Sequence, residues 1–167
     1  MSDSLLPDAL VESATRVIVA NRAAGRRVAV AESCTGGLVA AALTEVAGSS
    51  DVLEAAIVSY ANDAKMGLLH VSSDVLETFG AVSIATAWSM AQGALEVTGA
   101  DVAVAITGIA GPGGSEFKPE GRVCFGLARE GAETQVETVE FGALGRDKVR
   151  EAARDHALAL LLSAAQG

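Results

Sequence analysis

Residues 27–48 read RVAVAE, SCTGG and LVAAALTEVAG in succession, and this stretch decides the fold. Arg27 to Glu32 is short, apolar and β-branched at its centre, which predicts a buried strand. Leu38 to Gly48 is made of helix formers and closes on a glycine, which predicts a helix. Ser33 to Gly37 is then a tight strand-to-helix turn.

The same reading extends in both directions. Residues 4–24 carry Leu10, Val11, Ala14, Val17 and Ile18 at helical spacing, with Pro7 at the first turn and Gly25 as a stop. Ala55 to Tyr60 is a second strand, followed at once by a short helix, Asn62 to Leu69. Ser72 and Ser73 are caps for Asp74 to Phe79, which Gly80 ends; Ser83 caps a longer helix through Ala94 or beyond. Asp101 to Thr107 is a third strand, and it runs into GIAGPGGSEFKPEG, a loop dense in glycine and proline. Residues 122–129 and 134–141 are two strands around a turn, and 147–165 is an amphipathic final helix. Alternating elements early and adjacent strands late predict one domain over 1–167. It is a three-layer α/β/α sandwich on a mixed, mostly parallel sheet. Ligands in such sheets favour the loops beyond the strand C-termini. Here those loops are SCTGG, YANDAK and GIAGPGG.

Composition narrows the function. Half of the 167 residues are hydrophobic and 20% are charged, enough apolar mass for a full core. The net charge of −9 argues against general nucleic-acid binding and against a basic membrane-surface protein. Aromatics at 4% against 18 glycines make a base-stacking surface improbable on composition. Two cysteines, Cys34 and Cys124, cannot build a disulfide framework, and His70 and His156 stand too far apart for a metal motif. No run of eighteen apolar residues and no basic-then-apolar leader is present, so the expectation is a reduced, cytoplasmic protein without metal or cofactor.

Four segments carry candidate chemistry. In SCTGG, a nucleophile on a strand-to-helix turn lies beside the N–H groups of a helix start, which stabilise an oxyanion or a phosphate. Ser33 is that nucleophile, with Thr35, Gly36 and Gly37 offering backbone donors; the structural alternative is a simple N-cap. Cys34 is either a thiol activated at a helix start or a buried, inert one. In SYANDAK, Lys65 sits near a helix start, where the dipole and burial both lower an amine pKa, and a neutral lysine can deprotonate a serine. Tyr60 and Asn62 flank it, and an exposed lysine with a half-buried tyrosine is the plainer reading. In TGIAGPGG, Thr107, Gly108 and Gly111 make room and expose donors for a ligand. Near the last helix, Arg146 beside a helix start suits a phosphate, or is plain surface charge. His156 reads as a packing residue. Apolar Ala157 to Leu162 either closes a homo-oligomer or faces the core.

Taken in order, AESCTGG at 31–37, SYANDAK at 59–65, GAVS at 80–83, ITGIAGPGG at 106–114 and KPEGRV at 118–123 resemble the CinA C-terminal domain family. The resemblance spans nearly the whole chain and is to the standalone form, the nicotinamide-nucleotide amidohydrolases. It implies hydrolysis of the carboxamide of nicotinamide mononucleotide (NMN) to nicotinic acid mononucleotide and ammonia, without a metal. By that resemblance Ser33 is the nucleophile, Lys65 the general base, and Tyr60 an assisting hydrogen-bonding group. The alternatives are a nucleotide-binding module without turnover and a cysteine hydrolase built on Cys34. The sequence departs from the family at Glu120, at Arg122 and in the longer GALGRD segment around Arg146, so these positions bear on the phosphate and ribose contacts.

Overall fold

A computed structural model describes residues 3–167. Its elements are α1 (Asp8–Ala23), β1 (Val28–Glu32), α2 (Leu38–Thr44), β2 (Leu53–Val58), α3 (Asn62–Leu69), α4 (Ser73–Phe79), α5 (Ile84–Thr98), β3 (Val102–Gly108), β4 (Arg122–Arg129), β5 (Gln135–Glu140) and α6 (Arg146–Gln166). The sheet order is β2-β1-β3-β4-β5. β1 pairs in parallel with both β2 and β3, and β4 pairs antiparallel with both β3 and β5. Four strands therefore share one direction and β4 alone opposes it. The C-terminal ends of β1, β2, β3 and β5 all open on one edge, and α6 starts there.

The expected element order holds, with shifts at the ends. The helix read to Gly48 stops at Thr44 and gives way to a 3-10 turn, Ser49–Asp51. Strand β2 begins at Leu53, two residues early, and its exposed second face makes it an edge strand. Ser72 and Ser83 accept from the N–H groups of Val75 (3.2 Å) and Thr86 (3.0 Å), as capping residues do.

Alternation along the central strands sorts side chains by size, because successive residues face opposite sides of a sheet. Val28, Val30, Val102, Val104 and Ile106 face α1, α2 and α6 in the larger core. Ala29, Ala31, Ala103 and Ala105 face the helices α3, α4 and α5. Small residues on that second face let helices approach closely. A Cβ on Gly126 of β4 would come 2.5 Å from the Ala87 carbonyl oxygen of α5. A Cβ on Gly93 of α5 would come 1.9 Å from the Leu69 carbonyl oxygen that ends α3. Glycine is required at both places, and through Gly93 the position of α3 is set by α5.

The segment Ala157 to Leu162 divides between interior and surface, with Ala159 exposed. Ala157, Leu158 and Leu161 are buried in the larger core, so the core-facing alternative holds there. No described helix is long and apolar enough to cross a membrane.

Candidate active site

β1 delivers Ser33 at its C-terminal end, and the first turn of α3 delivers Lys65 beside it. Lys65 Nζ lies 3.1 Å from Ser33 Oγ, 2.9 Å from the Ser59 carbonyl oxygen and 3.1 Å from the Tyr60 carbonyl oxygen. Lys65 is 1% exposed, and Ser33 is buried too. Burial pushes the Lys65 amine below the ordinary lysine value, while the neighbouring Cys34 sulfur and the Glu116 carboxylate pull the other way. The arrangement suits a neutral amine. As an ammonium Lys65 donates to both carbonyls and to Ser33 Oγ; once neutral, its two N–H groups can stay on the carbonyls and its lone pair can accept from the serine hydroxyl. Such a pair can take the proton from Ser33 Oγ and leave a nucleophilic oxygen.

The turn after β1 is held from inside. Glu32, fully buried, accepts from the N–H groups of Gly37 (3.2 Å), Val39 (3.1 Å) and Ala40 (3.1 Å). Its carboxylate sits where an external anion would bind at a helix start, and the dipole of α2 supports it. The Gly36 N–H donates to the Ser33 carbonyl at 3.0 Å. From α6, Arg150 donates to the Cys34 carbonyl (3.0 Å) and the Thr35 carbonyl (3.3 Å). Thr35, Gly36 and Gly37 build the turn and are not among the residues that line the cavity; the Gly36 and Gly37 N–H groups are already committed, which corrects the expectation that those two are open to a ligand. The remaining N–H groups of the turn, at Cys34 and Thr35, have no backbone acceptor among the described residues.

A cavity of about 340 Å³ opens over Ser33 and Lys65, at the small end of the 300–1,000 Å³ range of ligand pockets. Tyr60, Asn62, Thr107, Gly108, Gly111 and Arg146 all line it, so it gathers residues from three loops and from α6. The Thr107 hydroxyl donates to the Ala81 carbonyl at 2.7 Å, tying β3 to the α4–α5 connection. The Tyr60 backbone carbonyl meets Lys65, and its hydroxyl accepts from Arg146 Nη2 at 2.8 Å. Arg146 Nη1 donates to the Gly111 carbonyl at 2.6 Å. Arg146 therefore bridges the loops after β2 and β3, and it remains a cation on the cavity wall.

Cys34 lines the same cavity. Its thiol is pushed up to about 12 by burial, so the thiolate is disfavoured. Cys124 is buried on β4, and its thiol is raised for the same reason. His156 packs against Phe125, ring centroids 4.4 Å apart, and bonds Glu137, far from the cavity lining.

The two departures near residue 120 do not line the cavity. Glu120 accepts from the Gly113 N–H (2.8 Å) and the Gly145 N–H (3.5 Å), stapling the β3–β4 loop to the start of α6. Arg122 pairs with its cross-strand partner Glu140 at 2.6 Å. Sequence reasoning missed Glu32 as the anchor of the turn. The available signal was a carboxylate ending a strand five residues before a helix start. It also missed Glu116, which lines the cavity from the hairpin tip.

The fold and site define an α/β protein with a buried serine–lysine pair at the C-terminal edge of a mixed sheet. The chain belongs to the CinA C-terminal domain family, whose profile matches residues 11–165. It is 46% identical to a competence/damage inducible protein of Agrobacterium tumefaciens, with a TM-score of 0.91 and 98% of each chain covered. A CinA superfamily protein of Klebsiella pneumoniae is 35% identical, with a TM-score of 0.90 over 94% of this chain and 98% of that one. A CinA-like protein of Mycobacterium sp. strain JLS is 50% identical over 149 residues, 89% of this chain. The chain spans about a third of the length of such curated relatives, 34–35% for two of them.

Proposed function

We propose that this chain hydrolyses the carboxamide of a pyridine nucleotide, NMN, to the acid and ammonia, with Ser33 as nucleophile and Lys65 as general base. One observation carries the reading: a buried lysine amine 3.1 Å from a serine hydroxyl, with two carbonyls taking its own protons. Lys65 accepts the proton from Ser33 Oγ as the oxygen attacks the amide carbon. The N–H group of Cys34, a residue of the cavity lining, receives the oxyanion; removing one such donor typically costs about 10²–10³ in rate. The carbon–nitrogen bond then breaks, and the proton held on Lys65 passes to the leaving nitrogen, releasing ammonia. Water, deprotonated by the same amine, attacks the acyl-serine and frees the acid. Arg146 faces the phosphate. Tyr60 positions Arg146, a different service from assisting the dyad directly.

The competing reading is a binding module that holds a nucleotide without turnover. One experiment separates them. Purified chain is incubated with NMN, with and without chelator, and nicotinic acid mononucleotide and ammonia are followed by chromatography with mass detection. Product in both conditions supports the metal-free amidohydrolase. No product, together with heat of binding in calorimetry, would replace it with the binding module. The thiol alternative is tested in the same assay, since alkylation of Cys34 would then abolish product while Ser33→Ala would not.

A further inference from the structure

Among the residues lining the cavity, Glu116 is the one carboxylate and Arg146 the one exposed cation. Glu116 reaches this place through an unusual turn. Ser115 and Lys118 exchange backbone hydrogen bonds at 3.0 and 2.8 Å, closing a two-residue hairpin with Glu116 and Phe117 at its tip. Both tip residues have positive φ, 53° and 63°. That turn is the one Asn-Gly and Asp-Gly favour, and a bulky side chain there is strained. Phe117 is fully exposed, so no burial of its ring offsets the strain.

What the turn does achieve is to set the Glu116 carboxylate on the cavity. The carboxylate rests against Gly80, where a Cβ would come 2.5 Å from Oε2, so glycine makes the space for it. Its cationic neighbour, Lys118 Nζ, stands off at 4.0 Å. That ammonium is held by the Phe79 carbonyl at 2.8 Å and the Val82 carbonyl at 2.5 Å. Lys118 thus divides its hydrogen bonds between two carbonyls and meets the carboxylate only as a loose ion pair, and the Glu116 charge acts to raise the Lys65 amine. Strain held in a non-glycine turn that lines a cavity marks a functional constraint.

We propose that Glu116 is a specificity residue that recognises positive charge on the ring bearing the amide, so the site selects a cationic pyridinium over a neutral ring. The assignment rests on the amidohydrolase reading above. The ligand it describes is a zwitterion, with a phosphate toward Arg146 and a cationic ring toward Glu116. Seating that cation also cancels the field of Glu116 at the dyad, which favours the neutral amine the reaction needs.

The test compares NMN with its reduced dihydropyridine form, which keeps phosphate, ribose and amide but has a neutral ring. Calorimetry on the full chain carrying Ser33→Ala gives both dissociation constants without turnover. We expect preference for the cationic ring by about tenfold or more, the scale of a single charge interaction in a partly screened site. Adding Glu116→Gln should collapse that ratio toward one. The double variant Glu116→Asn, Phe117→Gly should lose the same discrimination while raising Tm, because it relieves the turn. Binding of both nucleotides with a ratio untouched by Glu116→Gln would overturn the charge assignment alone. Heat from neither nucleotide would overturn the nucleotide reading, and this assignment with it.

Discussion

Two loops at the same sheet edge are built on opposite plans. The turn after β1 is anchored by a buried carboxylate from within its own strand, Glu32, which accepts from the N–H groups of Gly37, Val39 and Ala40 at the helix start. The loop after β3 is anchored by groups at its surface: Glu120 to Gly113 and Gly145, Lys118 to Phe79 and Val82, Arg146 to Gly111. Interior hydrogen bonds are shielded from water and rigid; exposed ones exchange readily with solvent. Ser33 sits on the first loop, and most of the cavity wall is the second. A site divided this way can keep its chemistry fixed while its selectivity varies.

The comparison breaks most sharply at the dyad. Ser33→Ala and Lys65→Ala should each lower kcat/KM by on the order of 10³-fold or more, as removal of a nucleophile or its base does. Circular dichroism should stay unchanged, and full activity in either variant would end the dyad. With the dyad intact, kcat/KM should rise with pH as the Lys65 amine loses its proton. The midpoint should fall below the ordinary lysine value because burial disfavours the charged form. A profile that falls across that limb would contradict a neutral-amine base.

Next in size is Glu32→Gln, which replaces a charged acceptor facing three N–H groups with an amide. It should cost about 1–3 kcal/mol in denaturant unfolding and cut kcat by roughly tenfold or more, since the serine's turn loosens. Glu120→Ala touches only the outer loop. It should raise KM a few-fold with kcat preserved and cost about 0.5–1.5 kcal/mol. The smallest change is Arg122→Ser, which removes a half-exposed ion pair: no kinetic effect, and stability within about 1 kcal/mol. A kcat effect from Glu120→Ala as large as that of Glu32→Gln would erase the division between the loops.

Much of this was legible in the chain itself. RVAVAE, DVAVAIT and the glycines that follow them read as strands and loops, because short apolar runs and glycine punctuation are local signals. Ser33, Lys65, Tyr60, Asn62, Thr107, Gly108, Gly111 and Arg146 could be picked as candidates, and all line one cavity. What the sequence hid were pairings across distance. Nothing local says that the Tyr60 hydroxyl meets Arg146, eighty-six residues on. Nor does it say that Glu32 has already filled the helix start read as open to a ligand. Glu120 and Arg122 read as disturbances of the binding site; neither lines the cavity, Glu120 holding the Gly113 N–H of the cavity loop from behind and Arg122 pairing with Glu140.

Gly93 gives the last consequence. It touches neither the cavity nor the dyad, yet the Leu69 carbonyl that ends α3 lies where its side chain would be. Any larger residue there would act as a wedge at the far end of the helix that carries Lys65. An amine 3.1 Å from its serine tolerates little travel before proton transfer fails. The gap between Lys65 and Ser33 is thus gauged by a missing methyl group on a different helix, and on the proposed function a lesion at residue 93 would look like the loss of that pair in a protein where both side chains are intact.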